Sequence, residues 1–205
     1  GGAAALVNHG VIQADVAGGN IVVQIDGGGG VTNHGTLAAL NGGTLWLASN
    51  VAGQAGSQIF AGAGSTVMQS AVTLSGTINV NGGGAFRPSN SANNVLDNAS
   101  FTGTLDLASA YGVERVVNGL TLNGAVNIGK ASILAPQGNQ TISGNGTIVF
   151  ADGDVNNRLN VEAGVLTLAP TVTVRGQNGY IGQQSFLGGS ATLVKSGQPD
   201  LPVTA

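Results

Sequence analysis

Apolar and polar residues alternate along most of this chain in short runs, which are separated by turns rich in glycine, asparagine and serine. In TINV (77–80) and TLDL (104–107), every second residue is apolar. An alternation of period two predicts a strand with one buried and one exposed face. We expect four of the inward-facing residues to be fully buried in one aliphatic stack: Ile78, Leu105, Val126 and Ile148.

The alternating runs form a repeated unit of the type Gly-x-apolar-x-apolar. The unit begins at Gly19, Gly43, Gly76, Gly103, Gly124, Gly146 and Gly164. The intervals between these glycines are irregular, and the longest, between Gly43 and Gly76, indicates either a loop or a coil that lacks the unit. A parallel solenoid needs self-similar units because like residues stack on like residues in successive coils, whereas a hairpin sandwich does not need them.

The sequence therefore predicts an all-β fold, a right-handed parallel β-helix (solenoid) of roughly nine coils. The strict six-residue period that marks the left-handed form is absent. Residues 1–194 are assigned to the solenoid. Residues 195–205 contain two prolines and drop the repeat, so they are assigned to a tail or linker.

The tripeptide Asn-His-Gly occurs twice, 25 positions apart, and each copy precedes an alternating run. We predict that Asn8 and Asn33 occupy equivalent corners of consecutive coils. Stacked asparagines can there form a ladder of amide hydrogen bonds along the axis. Gly10 and Gly35 then turn the chain into the next strand.

His9 and His34 lie inside these tripeptides and are predicted to face outward as part of the same structural ladder. The alternative is a metal ion shared by two histidines from neighbouring coils. Zinc usually takes four ligands, and no third ligand is evident nearby in the sequence. We therefore expect no metal, no cofactor and no catalytic residue in the chain.

The two copies of the motif read NHGVIQADVAGGNIVV (8–23) and NHGTLAALNGGTLWL (33–47). This pattern, Asn-x-Gly-x-Ile-x-Ala followed by Gly-Gly-x-apolar-x-apolar, resembles the filamentous-haemagglutinin type of bacterial exoprotein repeat over residues 6–48. The looser units from Gly76 onward resemble passenger domains of autotransporters. The resemblance implies a secreted or surface-anchored bacterial protein, a right-handed β-helix, and a role in adhesion, biofilm or filament formation.

Composition and charge exclude several classes of protein. Six Lys and Arg against nine Asp and Glu give a net charge of −3, and scattered basic residues cannot follow a phosphate backbone, so no nucleic-acid partner is expected. No apolar run approaches the roughly 18 residues of a membrane span. The absence of cysteine excludes disulfides and thiolate metal sites.

The remaining candidate chemistry lies at a few positions. Asp152 and Asp154 could form a cation loop, although the Asp-Gly dipeptide favours a turn. The aromatic residues Trp46, Tyr111 and Tyr180 are candidate sugar contacts if they are exposed, and structural residues if loops cover them. The segment GAFRPSNSANNVLDN (84–98) is predicted to be a loop that protrudes from the rod.

These observations favour a non-catalytic scaffold or adhesin segment, located extracellularly or on the bacterial cell surface. The alternative is a polysaccharide-binding or polysaccharide-cleaving β-helix protein, and cleavage would need clustered carboxylates. GGAAAL (1–6) is too small and apolar to shield a sheet edge, so we expect the coil around 7–14 to stay open. The expected partners are another copy of the chain or neighbouring coils of a longer chain, and host or matrix glycans.

Overall fold

The structure, a computed structural model, describes residues 4–182, 187 and 191–195. These residues form 21 strands and one short 3-10 turn at Ala108–Ala110. The strands are β1 (Leu6–Asn8), β2 (Val11–Ala14), β3 (Asn20–Val23), β4 (Val31–Asn33), β5 (Thr36–Ala39), β6 (Thr44–Leu47), β7 (Val51–Gly53), β8 (Gln58–Ala61), β9 (Thr66–Gln69), β10 (Thr73–Val80), β11 (Ala85–Pro88), β12 (Val95–Asp106), β13 (Val113–Ile128), β14 (Ile133–Pro136), β15 (Gln140–Ser143), β16 (Thr147–Phe150), β17 (Arg158–Asn160), β18 (Gly164–Leu168), β19 (Thr173–Gly176), β20 (Tyr180–Gly182) and β21 (Ala191–Lys195).

All pairs of these strands are parallel and form three ladders along the rod. Ladder A runs through β1, β4, β7, β10, β12, β13, β14, β17 and β20. Ladder B runs through β2, β5, β8, β10, β12, β13, β15, β18 and β21. Ladder C runs through β3, β6, β9, β11, β12, β13, β16 and β19. The predicted parallel β-solenoid is confirmed, with about eight coils. The right-handed winding stays a prediction.

The length of a coil varies, and this variation explains the irregular glycine intervals. Phe86 and Leu105 are paired in consecutive coils, and so are Leu166 and Leu193. The coil between the first two contains fewer residues than the coil between the second two. The repeated glycine also does not always precede the same ladder. Gly43 precedes β6 in ladder C, whereas Gly76 precedes the part of β10 that lies in ladder B. A complete coil, β7 to β9, fills the long interval and lacks the unit.

The core is the aliphatic interior between the three ladders. Ile78, Leu105, Val126 and Ile148 are completely buried, as predicted. They belong to two columns rather than one: Ile78 pairs with Phe101 in ladder B, and the other three follow one another in ladder C. Side chains of adjacent coils thus meet within a ladder, while inward-facing side chains of different ladders pack together in the interior.

The segment 84–98 is not a protruding loop, and that prediction was wrong. Ala85–Pro88 forms β11 and Val95 begins β12, so only residues 89–94 connect them. Phe86 is completely buried and meets the Phe101 ring edge-on, with centroids 5.5 Å apart. Pro88 is tolerated because it ends its strand, where the missing N–H costs little.

At the C-terminal end, Lys195 is the last residue of β21. The strand therefore extends by one residue into the segment predicted as a tail or linker. Residues 196–205 of that segment lie outside the described part of the chain.

Candidate functional site

The two Asn-His-Gly tripeptides stack directly on one another at the corner between ladders A and B, just after β1 and β4. Asn8 and Asn33 are paired in register and both are buried. The Asn8 Nδ2 donates to the Asn33 Oδ1 at 2.8 Å, and each Oδ1 also accepts from the backbone N–H of the glycine two residues on, Gly10 and Gly35. The amides therefore satisfy the polar groups of a tight corner and join two coils.

The histidines of the same tripeptides face solvent. The rings of His9 and His34 are stacked, with centroids 4.6 Å apart and planes inclined by 15°. Both side chains are exposed, and in the next coil Gln54 follows at this corner, its N–H bonded to the Asn33 carbonyl. Among the described residues, no group of three or more His, Asp and Glu could hold a metal ion.

We expect His9→Ala and His34→Ala each to change the free energy of unfolding by no more than about 0.5 kcal/mol, because exposed side chains away from the core contribute little. We also expect Zn²⁺ to leave the melting temperature unchanged. Thermal unfolding followed by circular dichroism, with and without Zn²⁺, measures both. A rise in melting temperature that requires both histidines would show a metal site instead.

The three candidate aromatic contacts are exposed and lie far apart along the rod. Trp46 lies on the outer side of ladder C between its register partners Val22 and Met68, and is 37% exposed. Tyr111 follows the 3-10 turn and is 56% exposed, and Tyr180 in β20 is 51% exposed. None of the three is buried, and among the described residues the fold does not bring them into one site.

Asp152 and Asp154 form a hydrogen-bonded turn at the corner between ladders C and A. The Asp152 carboxylate accepts from the Asn157 Nδ2 at 2.7 Å, from the Asp154 N–H at 3.0 Å and from the Lys130 N–H at 2.8 Å. These hydrogen bonds lower the pKa of Asp152, and the bond from Asn157 has the largest effect. The Asp154 Oδ1 accepts from the Asn156 N–H. Asp152 thus bridges two coils through the Lys130 N–H, whereas Asp154 accepts a hydrogen bond within its own turn.

Two buried asparagines at this corner were missed by sequence reasoning. The Asn94 Oδ1 accepts from the Ala71 N–H at 2.7 Å, and the Asn157 Oδ1 accepts from the Ala131 N–H at 3.1 Å. Both alanines have positive φ, 56° and 59°, so these amides hold unfavourable backbone turns. The available signal was a doubled asparagine directly before a strand of ladder A.

A carboxyl group is enclosed inside the rod. Glu114 of β13 is fully buried, and its Oε1 lies 3.5 Å from the Nε2 of the Gln69 amide, which donates to it. Its other oxygen has no hydrogen-bond partner among the described residues. Burial raises the pKa of Glu114 well above its ordinary value, against the smaller lowering effect of Gln69.

We expect Glu114→Gln to raise the melting temperature by several degrees at pH 7 and to have little effect at pH 4. The folded state retains the Glu114 proton above the pH at which the unfolded chain releases it, so stability falls as pH rises from the ordinary carboxyl pKa toward the raised one. Melting curves of both proteins from pH 4 to pH 8 test this. Curves that stay parallel over the whole range would contradict it.

Two side-chain pairs lie on the outer side of ladder A around β17: Arg115 with Glu162, and Arg158 with Tyr180. Arg115 donates through Nε to the Glu162 Oε1 at 2.6 Å and through Nη1 to the Ala92 carbonyl. Arg158 lies over the Tyr180 ring, with its guanidinium carbon 5.3 Å from the ring centroid. This arrangement joins side chains from three different coils.

No protein-family model, curated protein or solved structure matches this chain. In the part that the structure describes, no helix has the length and apolar character needed to cross a bilayer. The fold alone therefore defines the class to which the chain belongs, that of parallel β-solenoids.

Proposed function

We propose that this chain is a non-catalytic segment of an extracellular bacterial scaffold or adhesin, whose rod is extended by another coil stacked on its first one. The first coil comprises β1 to β3 (6–23). The resemblance of residues 6–48 to the exoprotein repeat supports the location and the role. The observation that carries the proposal is the environment of Gly10.

Gly35 is required by stacking, because a Cβ there would lie 2.0 Å from the carbonyl oxygen of Gly10 in the previous coil. Gly10 holds the same place in the first coil, yet a Cβ there would meet nothing within 4 Å. Neither residue has a positive φ that would require glycine. A coil lying against the first one would require glycine at position 10 for the reason that applies at position 35.

The rest of the first coil supports the same conclusion. Among the described residues, β1, β2 and β3 each pair with a strand on one side only. Val7, Val11 and Val16 are 55%, 62% and 67% exposed. The Asn33 Oδ1 accepts two hydrogen bonds, whereas the Asn8 Oδ1 accepts one and has room for a donor from a further coil.

The occupant that fits this edge is the last described coil of a second copy, stacked head to tail in the same strand direction. The edge strands β19 and β21 carry Arg175 and Lys195, while Asp15 and Asp26 follow β2 and β3. Opposite charges therefore lie on the first and on the last described coil. A head-to-tail contact of this kind does not close, so it extends into a filament.

Sedimentation velocity over a wide range of protein concentrations tests this proposal. We expect concentration-dependent association of the wild type, weakened by salt, and about a tenfold higher association midpoint for Gly10→Ala at an unchanged melting temperature. Gly153→Ala is the matched control, because a Cβ there has no contact closer than 3.8 Å and lies along the rod. A wild type that is monomeric throughout would exclude the second copy and leave an upstream coil as the occupant.

The proposal does not invoke polysaccharide cleavage, because the partly buried carboxylates already have protein partners. Asp106 is paired with Arg87 at 3.2 Å and Glu162 with Arg115 at 2.6 Å. A glycan-cleavage screen with and without Ca²⁺ separates the two functions. Reproducible turnover would replace the scaffold by an enzyme.

A further inference from the structure

We propose that Asn81 is a site of spontaneous modification, where the folded rod converts the asparagine into aspartate and isoaspartate without an enzyme. Asn81 and Gly82 lie in the turn that follows β10. The attacking group of this reaction is the backbone nitrogen of the residue after the asparagine. Conversion therefore requires a flexible residue at that position and an N–H that is not held in a hydrogen bond. The site lies away from the terminal coils and does not depend on the assembly proposed above.

The chain contains six Asn-Gly dipeptides, whose asparagines stand at positions 41, 81, 118, 123, 145 and 178. In two of them, the reacting N–H already has an acceptor. The Gly42 N–H donates to the Ser65 Oγ at 2.9 Å. The Gly119 N–H donates to the Gln140 Oε1 at 2.8 Å. These bonds keep the backbone nitrogen away from the asparagine side chain.

Three further dipeptides are restrained in other ways. Asn123 lies inside β13, and its Oδ1 accepts from the Asn145 N–H at 3.2 Å. The Asn178 Nδ2 donates to a backbone carbonyl of the preceding coil at 3.0 Å. Gly146, which follows Asn145, is buried, and a Cβ on it would lie 2.3 Å from the Leu122 Cγ. In each case either the amide or the glycine cannot turn toward the other without breaking contacts of the fold.

Asn81 and Gly82 carry neither kind of restraint. Both residues are exposed, and in the part of the chain that the structure describes no hydrogen bond involves the Asn81 side chain or the Gly82 N–H. One bond closes the turn, from the Gly84 N–H to the Asn81 carbonyl at 3.0 Å. Gly83 has open space around it, since a Cβ there would meet nothing within 4 Å. A turn with one hydrogen bond and three glycines opens at low cost.

The length of the following coil explains this freedom. Asn79 pairs with Thr102, and Phe86 pairs with Leu105. Six residues, 80–85, separate Asn79 from Phe86, whereas only two, 103 and 104, separate Thr102 from Leu105. The following coil therefore runs without a break from ladder B into ladder C and places no corner over the turn.

The dipeptide at position 41 shows the effect of a covering corner. Asn41 and Gly42 also lie between ladder B and ladder C, after β5. There the following coil has a corner of its own, and its Ser65 Oγ accepts from the Gly42 N–H. The same dipeptide at the same corner is therefore held in one coil and free in the other.

The reaction consumes one water and releases one ammonia. The Gly82 nitrogen loses its proton to hydroxide and forms a bond to the Asn81 Cγ. The bond from Cγ to the amide nitrogen breaks, and this nitrogen takes a proton from water and leaves as ammonia, so that a succinimide ring remains. Water then opens the ring: attack at Cγ gives aspartate, and attack at the main-chain carbonyl carbon gives isoaspartate, whose main chain is longer by one methylene group. Either product adds one negative charge to the net charge of −3.

Incubation of the folded protein at pH 6 and pH 8, followed by peptide mapping with mass spectrometry, tests the site. Electron-transfer fragmentation separates the aspartate and isoaspartate products. We expect Asn81 to be converted at least about tenfold faster than each of the other asparagines that precede a glycine, because only its turn reacts without the opening of further structure. The rate should rise with pH, since the attacking nitrogen must lose a proton.

Denaturing urea provides the control within the same chain. It removes the restraints of the fold, so the rates of all the Asn-Gly dipeptides should lie close together. If a different asparagine reacted fastest in the folded protein, or if Asn81 kept the same preference in urea, the proposal would be overturned.

Ser65→Ala tests the role of the glycine N–H. It removes the acceptor of the Gly42 N–H, so conversion of Asn41 should become at least about threefold faster while the rate at Asn81 stays unchanged. Ser57→Ala is the matched control, because Ser57 is a buried serine of the same coil whose Oγ donates to a backbone carbonyl of its own turn. Circular dichroism checks that both variants are folded. An unchanged rate at Asn41 in the folded Ser65→Ala protein, or equal acceleration in the two variants, would overturn the assignment.

Discussion

Ile78→Asp is expected to destabilise the rod by about 4 kcal/mol or more, since it removes a buried aliphatic side chain and encloses a carboxyl group without a partner. Ile78 is completely buried in ladder B, between Ile59 of the preceding coil and Phe101 of the following one. Both neighbours would lose their packing contacts. Urea unfolding followed by circular dichroism measures the loss.

Thr77→Asp is the matched control, because Thr77 is the adjacent residue of the same strand and its side chain is exposed. It introduces the same charge into the same coil without burying it, and should change stability by about 0.5 kcal/mol at most. If both variants were equally stable, the assignment of inward and outward positions in β10 would be wrong.

Gly35→Ala is expected to destabilise the rod by about 3 kcal/mol, while Gly10→Ala leaves the stability of the isolated rod nearly unchanged. One methyl group at position 35 would lie 2.0 Å from the Gly10 oxygen, which already accepts the hydrogen bond of the Thr36 N–H. The two coils would have to separate locally and stretch that bond. Denaturant titration of both variants provides the comparison.

The comparison is stringent because both glycines end an Asn-His-Gly tripeptide, and the N–H of each donates to the Oδ1 of the asparagine two residues before it. Propensity alone would predict similar effects of the two substitutions. A large loss for Gly10→Ala in the monomer would mean that local backbone geometry, rather than stacking, requires glycine. An unchanged Gly35→Ala protein would show that the coils separate at little cost.

Much of the fold could be predicted from single runs of sequence. Alternation of period two placed Ile78 and Leu105 inside, and both are completely buried. The Asn-His-Gly repeat predicted which residues of the first two coils meet, because each copy directly precedes an equivalent strand. The Asn8 and Asn33 side chains are indeed hydrogen bonded to each other.

The prediction failed where the pattern was hidden by turn residues. β11 lies in a segment whose proline, serine and asparagine content resembles a loop. For the long glycine interval the sequence left a loop and a coil without the unit as alternatives, and the coil from β7 to β9 confirms the second. Strand β11 is recognised only from the pairing of Phe86 with Val67 in the preceding coil and with Leu105 in the following one. A strand of four residues contains too few alternations to outweigh its flanking turn signals.

The sequence by itself determined the strand period, the parallel stacking of repeated units and the contact between the two Asn-His-Gly tripeptides. Only the tertiary structure decided which distant side chains meet, as in the Gln69–Glu114 pair, 45 residues apart, and the Arg115–Glu162 pair, 47 residues apart. The physical reason is that the coils differ in length, as the pairings of Phe86 with Leu105 and of Leu166 with Leu193 show. Each corner that gains or loses residues shifts the sequence separation of stacked positions, and only the completed interior and its hydrogen bonds define the register from coil to coil.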